Sequence, residues 1–323
     1  MKPQRRRFLR LAAGSAVSAA LPRLAWALDY PTRPVRIVVP YPAGIAPDIV
    51  ARLVAQSLSQ QLKQQFIVDN RPGGASNVGT SIVAHAPADG YTLLVVTATN
   101  AINVSLYESL DFNLTRDIAP VAGLVRLPLV LVVNPSVPAQ TLGEFIAYAK
   151  ANPGKLNYAS VGSGAATNVA GELFKEMAGI DLVNVPYRGN YMPDLIGGQV
   201  QASFPPIVQS IEYIKAGKLR ALALTSATRS DLLPGVPAAA EFVPGYEATV
   251  WDALGAPAKT PIEIVGELNK AINAVLSEPA MRTRFADLGA EPMPMTPAEF
   301  GKYIAAETEK WSKVVKTAHI KVE

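Results

Sequence analysis

Short apolar runs of strand length alternate with helical stripes along most of this chain, and that alternation restricts the fold more than any other feature of the sequence. Val35-Arg36-Ile37-Val38-Val39-Pro40 reads as a buried strand, and Ile49, Val50, Leu53, Val54 and Leu58 then fall on one helical face. The unit repeats as a strand over 66–68, a helix through 81–84 and a strand over 92–96 that ends in a polar loop. A second series starts with a strand over 129–133 and a helix opened by Thr141-Leu142-Gly143-Glu144, a capping box in which hydroxyl and carboxylate satisfy opposite orphan amides. Further strands fit 157–159, 182–185, 202–204 and 219–224, alternating with helices near 169–177 and 208–215. Such alternation implies parallel-rich sheets covered by helices. After a loop rich in Pro and Gly over 233–245, a strand over 248–256 precedes a helical remainder. Two helices there open with Thr-Pro-x-Glu, at 260–263 and 296–299, which puts Pro at the first helical position and Glu in the role of cap partner. The stripe Phe300, Tyr303, Ile304, Trp311 and Val315 reads as a core face.

The amino end has a different character. Arg5, Arg6, Arg7, Phe8, Leu9 and Arg10 precede an apolar run over 11–21 and a small-x-small site at Ala25-Trp26-Ala27, the pattern of a signal peptide cleaved after Ala27. The run is shorter than the roughly 20 residues a membrane-spanning helix needs. The paired arginines followed by x-Phe-Leu-Arg resemble the twin-arginine export signal, with Gln4 where Ser or Thr is usual. Residues 1–27 hold six of the 30 Lys and Arg and none of the 26 Asp and Glu, so the remaining 296 residues carry 24 basic and 26 acidic groups. The basic isoelectric point therefore belongs largely to the leader and argues for no nucleic-acid partner. A chain of that length favours two domains, and with no cysteine it has neither disulfides nor thiolate chemistry.

In α/β proteins ligands bind where loops leave the carboxyl ends of strands and meet helix amino ends. Three loops fit. Tyr41-Pro42-Ala43-Gly44-Ile45-Ala46-Pro47-Asp48 offers free amides at a helix start that can hold an anion without Lys or Arg, although Asp48 equally reads as a first-turn acid that stabilises any helix. The loop from Thr97 through Thr99 to Asn103 is a cluster of hydroxyls and amides after an apolar strand. Ser160-Val161-Gly162-Ser163-Gly164-Ala165-Ala166-Thr167-Asn168 resembles a dinucleotide loop but has Thr167 in place of the last Gly and no acid clearly at the ribose position, so it reads better as a set of amides and hydroxyls at a helix start.

Catalytic constellations are harder to find. His85 and His319 are the only histidines, and no Gly-x-Ser-x-Gly elbow or metal-spaced His pair is present. Glu172 and Glu176 lie one turn apart beside Lys175 and read as a solvated face. The expectation is a binding protein with no catalytic residue, metal or cofactor.

Ordered motifs along the chain carry a resemblance. Tyr30-Pro31-x-Arg33-Pro34-Val35-Arg36-Ile37-Val38-Val39-Pro40, Asn70-Arg71-Pro72-Gly73, Asn77-Val78-Gly79-Thr80, Asp89-Gly90-Tyr91-Thr92-Leu93-Leu94 and Val132-Val133-Asn134-Pro135 are followed by Gly171-Glu172-Leu173-Phe174 and Val185-Pro186-Tyr187-Arg188-Gly189. Gly197-Gly198-Gln199-Val200, Ala216-Gly217-Lys218-Leu219-Arg220-Ala221-Leu222 and Pro244-Gly245-Tyr246-Glu247 complete the series. From residue 30 onward the chain resembles the Bug family, the extracytoplasmic receptors of tripartite tricarboxylate transporters. The resemblance implies a two-lobed, periplasmic-binding-protein-like α/β fold, each lobe a mixed sheet flanked by helices, with a carboxylate held in the cleft. Residues 28–127 and 251–323 would form one lobe and 128–250 the other. Ligand contacts would come from Tyr41, Ala43, Gly44, Ile45, Asp48, Thr97, Thr99, Asn103, Gly162, Ser163, Gly164, Thr167, Asn168, Tyr187 and Arg188. The implied partners are a small organic carboxylate and the membrane components of the transporter, with the receptor monomeric in the periplasm.

The sequence departs from the family pattern where it matters for the ligand. The usual Gly-Gly-Ser/Thr-Thr-Asp of the first loop is Gly44-Ile45-Ala46-Pro47-Asp48 here, and Phe204 is followed by Pro205-Pro206 where Asp-Asn is common. The segment between Gly189 and Asp194 is also about two residues short. Ile45 at the ligand loop favours an aromatic or aliphatic carboxylate over a hydrated tricarboxylate. A ligand-binding partner of a signalling receptor and an exported hydrolase are the alternative readings.

Overall fold

Two mixed sheets organise the chain in the computed structural model, which describes residues 30–317 and residue 320. The leader expected over 1–27 and His319 lie outside the described residues. The first sheet comprises β1 (Val35–Val39), β2 (Phe66–Asn70), β3 (Thr92–Thr97), β4 (Ile118–Pro128), β10 (Thr249–Pro257) and β11 (Glu291–Pro292), in the order β11-β4-β10-β3-β1-β2. The second comprises β5 (Val130–Val133), β6 (Asn157–Ser160), β7 (Val183–Pro186), β8 (Ala202–Ser203) and β9 (Arg220–Leu224), in the order β7-β6-β8-β5-β9. The helices are α1 (Ala46–Leu62), α2 (Asn77–Ala84), α3 (Ala98–Leu106), α4 (Leu114–Asp117), α5 (Leu142–Ala151), α6 (Ala166–Ala178), α7 (Met192–Ile196), α8 (Ile207–Lys215), α9 (Ile262–Ser277), α10 (Pro279–Asp287) and α11 (Pro297–Thr317). None is long and apolar enough to cross a membrane among the described residues.

The sheets share a plan. In the first, β1 lies parallel to β2 and β3; in the second, β6 lies parallel to β7 and β8. The other ladders are antiparallel, so the parallel-rich expectation holds for only part of each sheet. Part of the difference comes from β4, a strand of 11 residues that the alternation did not reveal because Pro120 and Gly123 punctuate it like a loop. Pro120 is tolerated beside the register irregularities of the β4/β10 ladder. Gly123 is required because a side chain there would drive into the Met293 carbonyl. The two-residue β11 likewise interrupts the expected helical remainder.

The chain passes from the first sheet to the second between Pro128 and Val130 and returns between Ala248 and Thr249. Thr225 ties both passages. Its amide donates to the Leu129 carbonyl at 2.9 Å, the Leu129 amide donates to its hydroxyl at 3.0 Å, and its carbonyl accepts from the Ala248 amide at 2.9 Å. The Thr225 hydroxyl also meets the Ala248 carbonyl, which makes this buried side chain a clasp for the two crossings.

The two Thr-Pro-x-Glu sequences fold differently. At α11 the Thr296 amide donates to Glu299 at 2.8 Å and the Glu299 amide to the Thr296 hydroxyl at 3.2 Å, a complete capping box. At α9, Pro261 is itself the cap residue, which leaves Thr260 one position too early; its buried hydroxyl finds no partner in the protein. The α11 stripe is a core face as expected, with Phe300, Ile304, Trp311 and Val315 buried.

Glu307 on that helix is buried between two indoles. One of its carboxylate oxygens accepts from Trp251 Nε1 at 2.9 Å and Trp311 Nε1 at 3.0 Å, joining α11 to β10. Truncation would strand two buried donors, at roughly 1–3 kcal/mol for each unsatisfied group. Glu307→Ala is therefore expected to lower unfolding stability in urea by about 2–5 kcal/mol, and Glu307→Gln, which keeps an acceptor, by clearly less. Equal losses would show that the indole bonds are not what the carboxylate supplies.

Candidate functional site

Each sheet sends two neighbouring parallel strands into helices at one side of the molecule. β1 and β3 lead into α1 and α3, and β6 and β8 lead into α6 and α8. The first turns of all four helices line a single cavity: Ala46 and Pro47 of α1, Ala98 and Thr99 of α3, Ala166 and Thr167 of α6, and Gln209 of α8 after its cap residue Pro206. The cavity volume is about 40 Å³, enough for a very small occupant. Its walls are completed by Tyr41, Ile45, Thr97 and Val161, and by Leu127, Val250, Trp251 and Asp252 of the crossing strands. The lobes touch here directly, because the Ala166 amide at the start of α6 donates to the Thr99 hydroxyl of α3 at 3.0 Å.

The first loop is held by its acid. Asp48 is buried, and its carboxylate accepts from the Gly44 amide at 2.9 Å, Arg52 Nε at 3.0 Å and Asn70 Nδ2 at 2.9 Å. Asn70 also donates to the Tyr41 carbonyl at 3.0 Å, so one network spans the loop from end to end. Burial alone would raise the Asp48 carboxyl, but the bonds from Arg52, Gly44 and Asn70 outweigh it and hold the group below its ordinary value. Gly44 adopts a left-handed φ of 82°, which aims its amide back at Asp48. Asp48 thus shapes the loop rather than lining the cavity, and Ala43 and Gly44 are exposed on the loop's outer side.

The expected polar loop after β3 is helical from Ala98 onward. Asn100 supplies the reason: its side-chain oxygen accepts from the Thr97 amide at 2.8 Å, the role usually filled by Glu or Gln in a capping box. Its amide in turn donates to Thr80 at 2.7 Å. Thr97 and Thr99 line the cavity, and the Tyr41 hydroxyl lies 3.1 Å from that of Thr97. Asn103, one turn further on, donates instead to the Ala75 carbonyl at 2.7 Å and to Asn77 at 2.8 Å, away from the cavity.

The third loop closes on itself in a similar way. Asn168 accepts from the Gly164 amide at 2.9 Å and donates to the Tyr158 hydroxyl at 2.9 Å, and that hydroxyl donates to Glu172 at 2.5 Å. Glu172 is therefore partly buried in a network and not part of a solvated face. Thr167 reaches the cavity, whereas Gly162, Ser163, Gly164 and Asn168 build the turn behind it. Tyr187 turns toward α7, donating to Asp194 at 2.8 Å, and Arg188 is exposed. Of the residues expected from sequence, the cavity brings together Tyr41, Ile45, Thr97, Thr99 and Thr167. It adds Gln209, Trp251 and Asp252, which sequence reasoning missed; the available signal was an acid inside the otherwise apolar strand run 248–256.

The chain matches the model of the tripartite tricarboxylate transporter family receptor, TctC, over residues 50–320. It belongs to that receptor family. The chain is 36% identical to protein BugT of Bordetella pertussis over 299 residues, covering 91% of this chain and 92% of BugT. A solved R. palustris protein with adipate has a TM-score of 0.88 at 36% identity, over 91% of this chain and all 100% of that one. The periplasmic binding protein BugD superposes with a TM-score of 0.88 at 31% identity, covering 91% of this receptor and 100% of BugD. MatC of Rhodopseudomonas palustris, solved with malate, gives a TM-score of 0.84 at 31% identity, covering 88% of this receptor and 100% of MatC. The two-lobed fold expected of a Bug receptor is thus the fold of this chain.

A larger hollow of about 890 Å³ lies elsewhere, walled by Arg126 of β4, residues 226–232, and the α10–β11 segment. It mixes charges of both signs, including Arg229, Asp231, Glu247 and Arg282, and of the helix starts among the described residues only that of α10, through Arg282, reaches it. The smaller cavity is the one at which helix amino ends converge.

Asp252 sets the electrostatics of that cavity. It is 2% exposed, and burial raises its carboxyl from 3.8 to about 7. Burial likewise pushes the Tyr41 hydroxyl up to about 12, with the Thr97 and Thr99 hydroxyls opposing and the Asp252 charge adding to the rise. Because the folded pKa of Asp252 exceeds the unfolded one, the native protein keeps a proton that the unfolded chain releases between about pH 4 and 7, so rising pH destabilises it there. Asp252→Asn should remove that loss. In urea unfolding, the variant is expected to gain on the wild type through this window by on the order of 2–4 kcal/mol and then hold a constant lead above it. A difference that does not change with pH would contradict the assignment.

Proposed function

We propose that this receptor captures a small organic carboxylate between its lobes and that the closed form delivers it to the membrane components of a tripartite tricarboxylate-type transporter. The observation that carries the reading is the convergence of the α1, α3, α6 and α8 amino ends, from both lobes, on one cavity. Helix starts present unpaired N–H groups and a partial positive charge, which favours an anion without requiring Lys or Arg. The relatives solved with adipate and with malate support a carboxylate ligand. The apolar walls formed by Ile45, Leu127, Val161, Val250 and Trp251 favour an aliphatic or aromatic carboxylate over a heavily hydrated tricarboxylate.

In this reading Tyr41, Ile45, Thr97, Thr99 and Thr167 contact the ligand, and Asp48, Asn103 and Asn168 hold the loops that present them. Tyr187, Arg188, Ala43, Gly44 and the Gly162-Ser163-Gly164 turn reach it only if the lobes part. Residues 28–127 with 251–323 form one lobe and 128–250 the other. The protein acts as a monomer without chemistry of its own, in the periplasm, after loss of residues 1–27 along a twin-arginine route.

Thermal unfolding of the purified protein against a panel of aliphatic and aromatic monocarboxylates, dicarboxylates and tricarboxylates tests this. A ligand at 100 times its Kd is expected to stabilise the protein by about 2.7 kcal/mol. Thr99→Val and Thr167→Val should each weaken the best ligand about tenfold, the loss expected for roughly one hydrogen bond. Folded protein that responds to no carboxylate would refute the proposal.

A further inference from the structure

We propose that Asp252 and Gln209 select the ligand, so that the site takes a small carboxylate that also bears an N–H donor, an ammonium or a carboxamide. The N–H group bonds Asp252 while the carboxylate accepts from Gln209. The inference rests on the carboxylate-receptor reading and narrows its substrate class. Asp252 is 2% exposed and Gln209 8% exposed, and both line the cavity, one from the β10 crossing strand and the other from the first turn of α8. Asp252 Oδ2 and Gln209 Nε2 have no hydrogen-bond partner within the protein. The other buried side-chain atoms in that condition among the described residues, on Asn103, Tyr191, Thr260 and Asn273, do not line this cavity.

A buried polar atom without a partner costs free energy unless something supplies one, and here an acceptor and a donor are left unpartnered on two residues that line one cavity, one on β10 and the other on α8. Their chemistry is complementary to a molecule carrying both. The helix amino ends and Gln209 suit a carboxylate. Once ionised, Asp252 works against any second anion, and no Lys or Arg lines the cavity among the described residues. The counterpart to Asp252 therefore arrives with the ligand, as an N–H group. Engagement of one ligand by Gln209 and Asp252 together also links the two lobes, as a closing receptor requires.

Calorimetric titration of the purified protein at pH 8 with ligands matched in length tests the pair: succinate against succinamate and 4-aminobutanoate, and glutarate against glutaramate and 5-aminopentanoate, with adipate and malate as plain carboxylate references. The expected result is at least tenfold tighter binding of an N–H-bearing member than of its matched diacid. In Asp252→Asn, confirmed folded by circular dichroism, an ammonium ligand should weaken at least tenfold, whereas a carboxamide ligand should weaken by less, because Asn still offers an acceptor; this contrast distinguishes the two N–H sources. Gln209→Leu should weaken members of both kinds. Diacids binding as tightly as their N–H partners, or a ranking that survives Asp252→Asn, would overturn this inference and leave the carboxylate receptor standing. Folded protein that binds neither the matched set nor the plain references would overturn both.

Discussion

Both lobes hang from the antiparallel β4/β10 pair and the Thr225 clasp, and the rest of the molecule depends on that junction. The ladder runs from the Thr249 pairing with Pro128 to the Pro257 pairing with Ile118, and Thr225 secures Leu129 and Ala248 where the chain leaves and re-enters the first sheet. Among the described residues only two stretches of backbone connect the sheets, the kind of connection that hinge closure uses. The same strands carry Leu127, Val250, Trp251 and Asp252 into the cavity wall, which places part of the candidate site on the joint between the sheets. The Trp251 and Trp311 bonds to Glu307 then brace that joint against α11.

The cavity achieves an anion-friendly environment by geometry rather than by charge. Four helix starts converge on it, and its one carboxyl group among the described residues, that of Asp252, is no partner for an anion once ionised. Asp48 contributes at one remove. By taking bonds from Gly44, Arg52 and Asn70 it fixes the first loop before a ligand arrives, which lowers the ordering cost of binding. Asn168 does the same for the third loop through Gly164 and Tyr158. These polar side chains look like ligand contacts in sequence because loop-shaping and ligand-binding draw on the same residue types, those whose short side chains bond nearby amides.

Much of the architecture could be read from the order of apolar runs, because period-two and period-3.6 patterns follow directly from backbone geometry. The strand at β1, the α1 stripe, the Thr296 capping box and the α11 core face are all local in this sense. The elements that escaped were those stabilised from a distance. β4 contains Pro120 and Gly123 and exists as a strand because β10 and β11 pair with it, while Gly123 makes room for Met293. α3 begins at a polar cluster because Asn100 replaces the expected cap partner and is itself held by Thr80, 20 residues away.

The sequence by itself determined that the chain is an α/β receptor of this family and which strand-to-helix loops offer amides to an anion, since helix starts and turns are written in neighbouring residues. Tertiary structure alone decided which of those loops share a cavity. It turned Asp48 and Asn168 toward their own loops and Asn103 toward Ala75 and Asn77, and brought Gln209 and Asp252, 43 positions apart in the chain, into the lining of one cavity. The reason is physical: a loop's chemistry is local, but the meeting of loops from two lobes is fixed by strand pairing across the crossing, and no neighbouring residue records it.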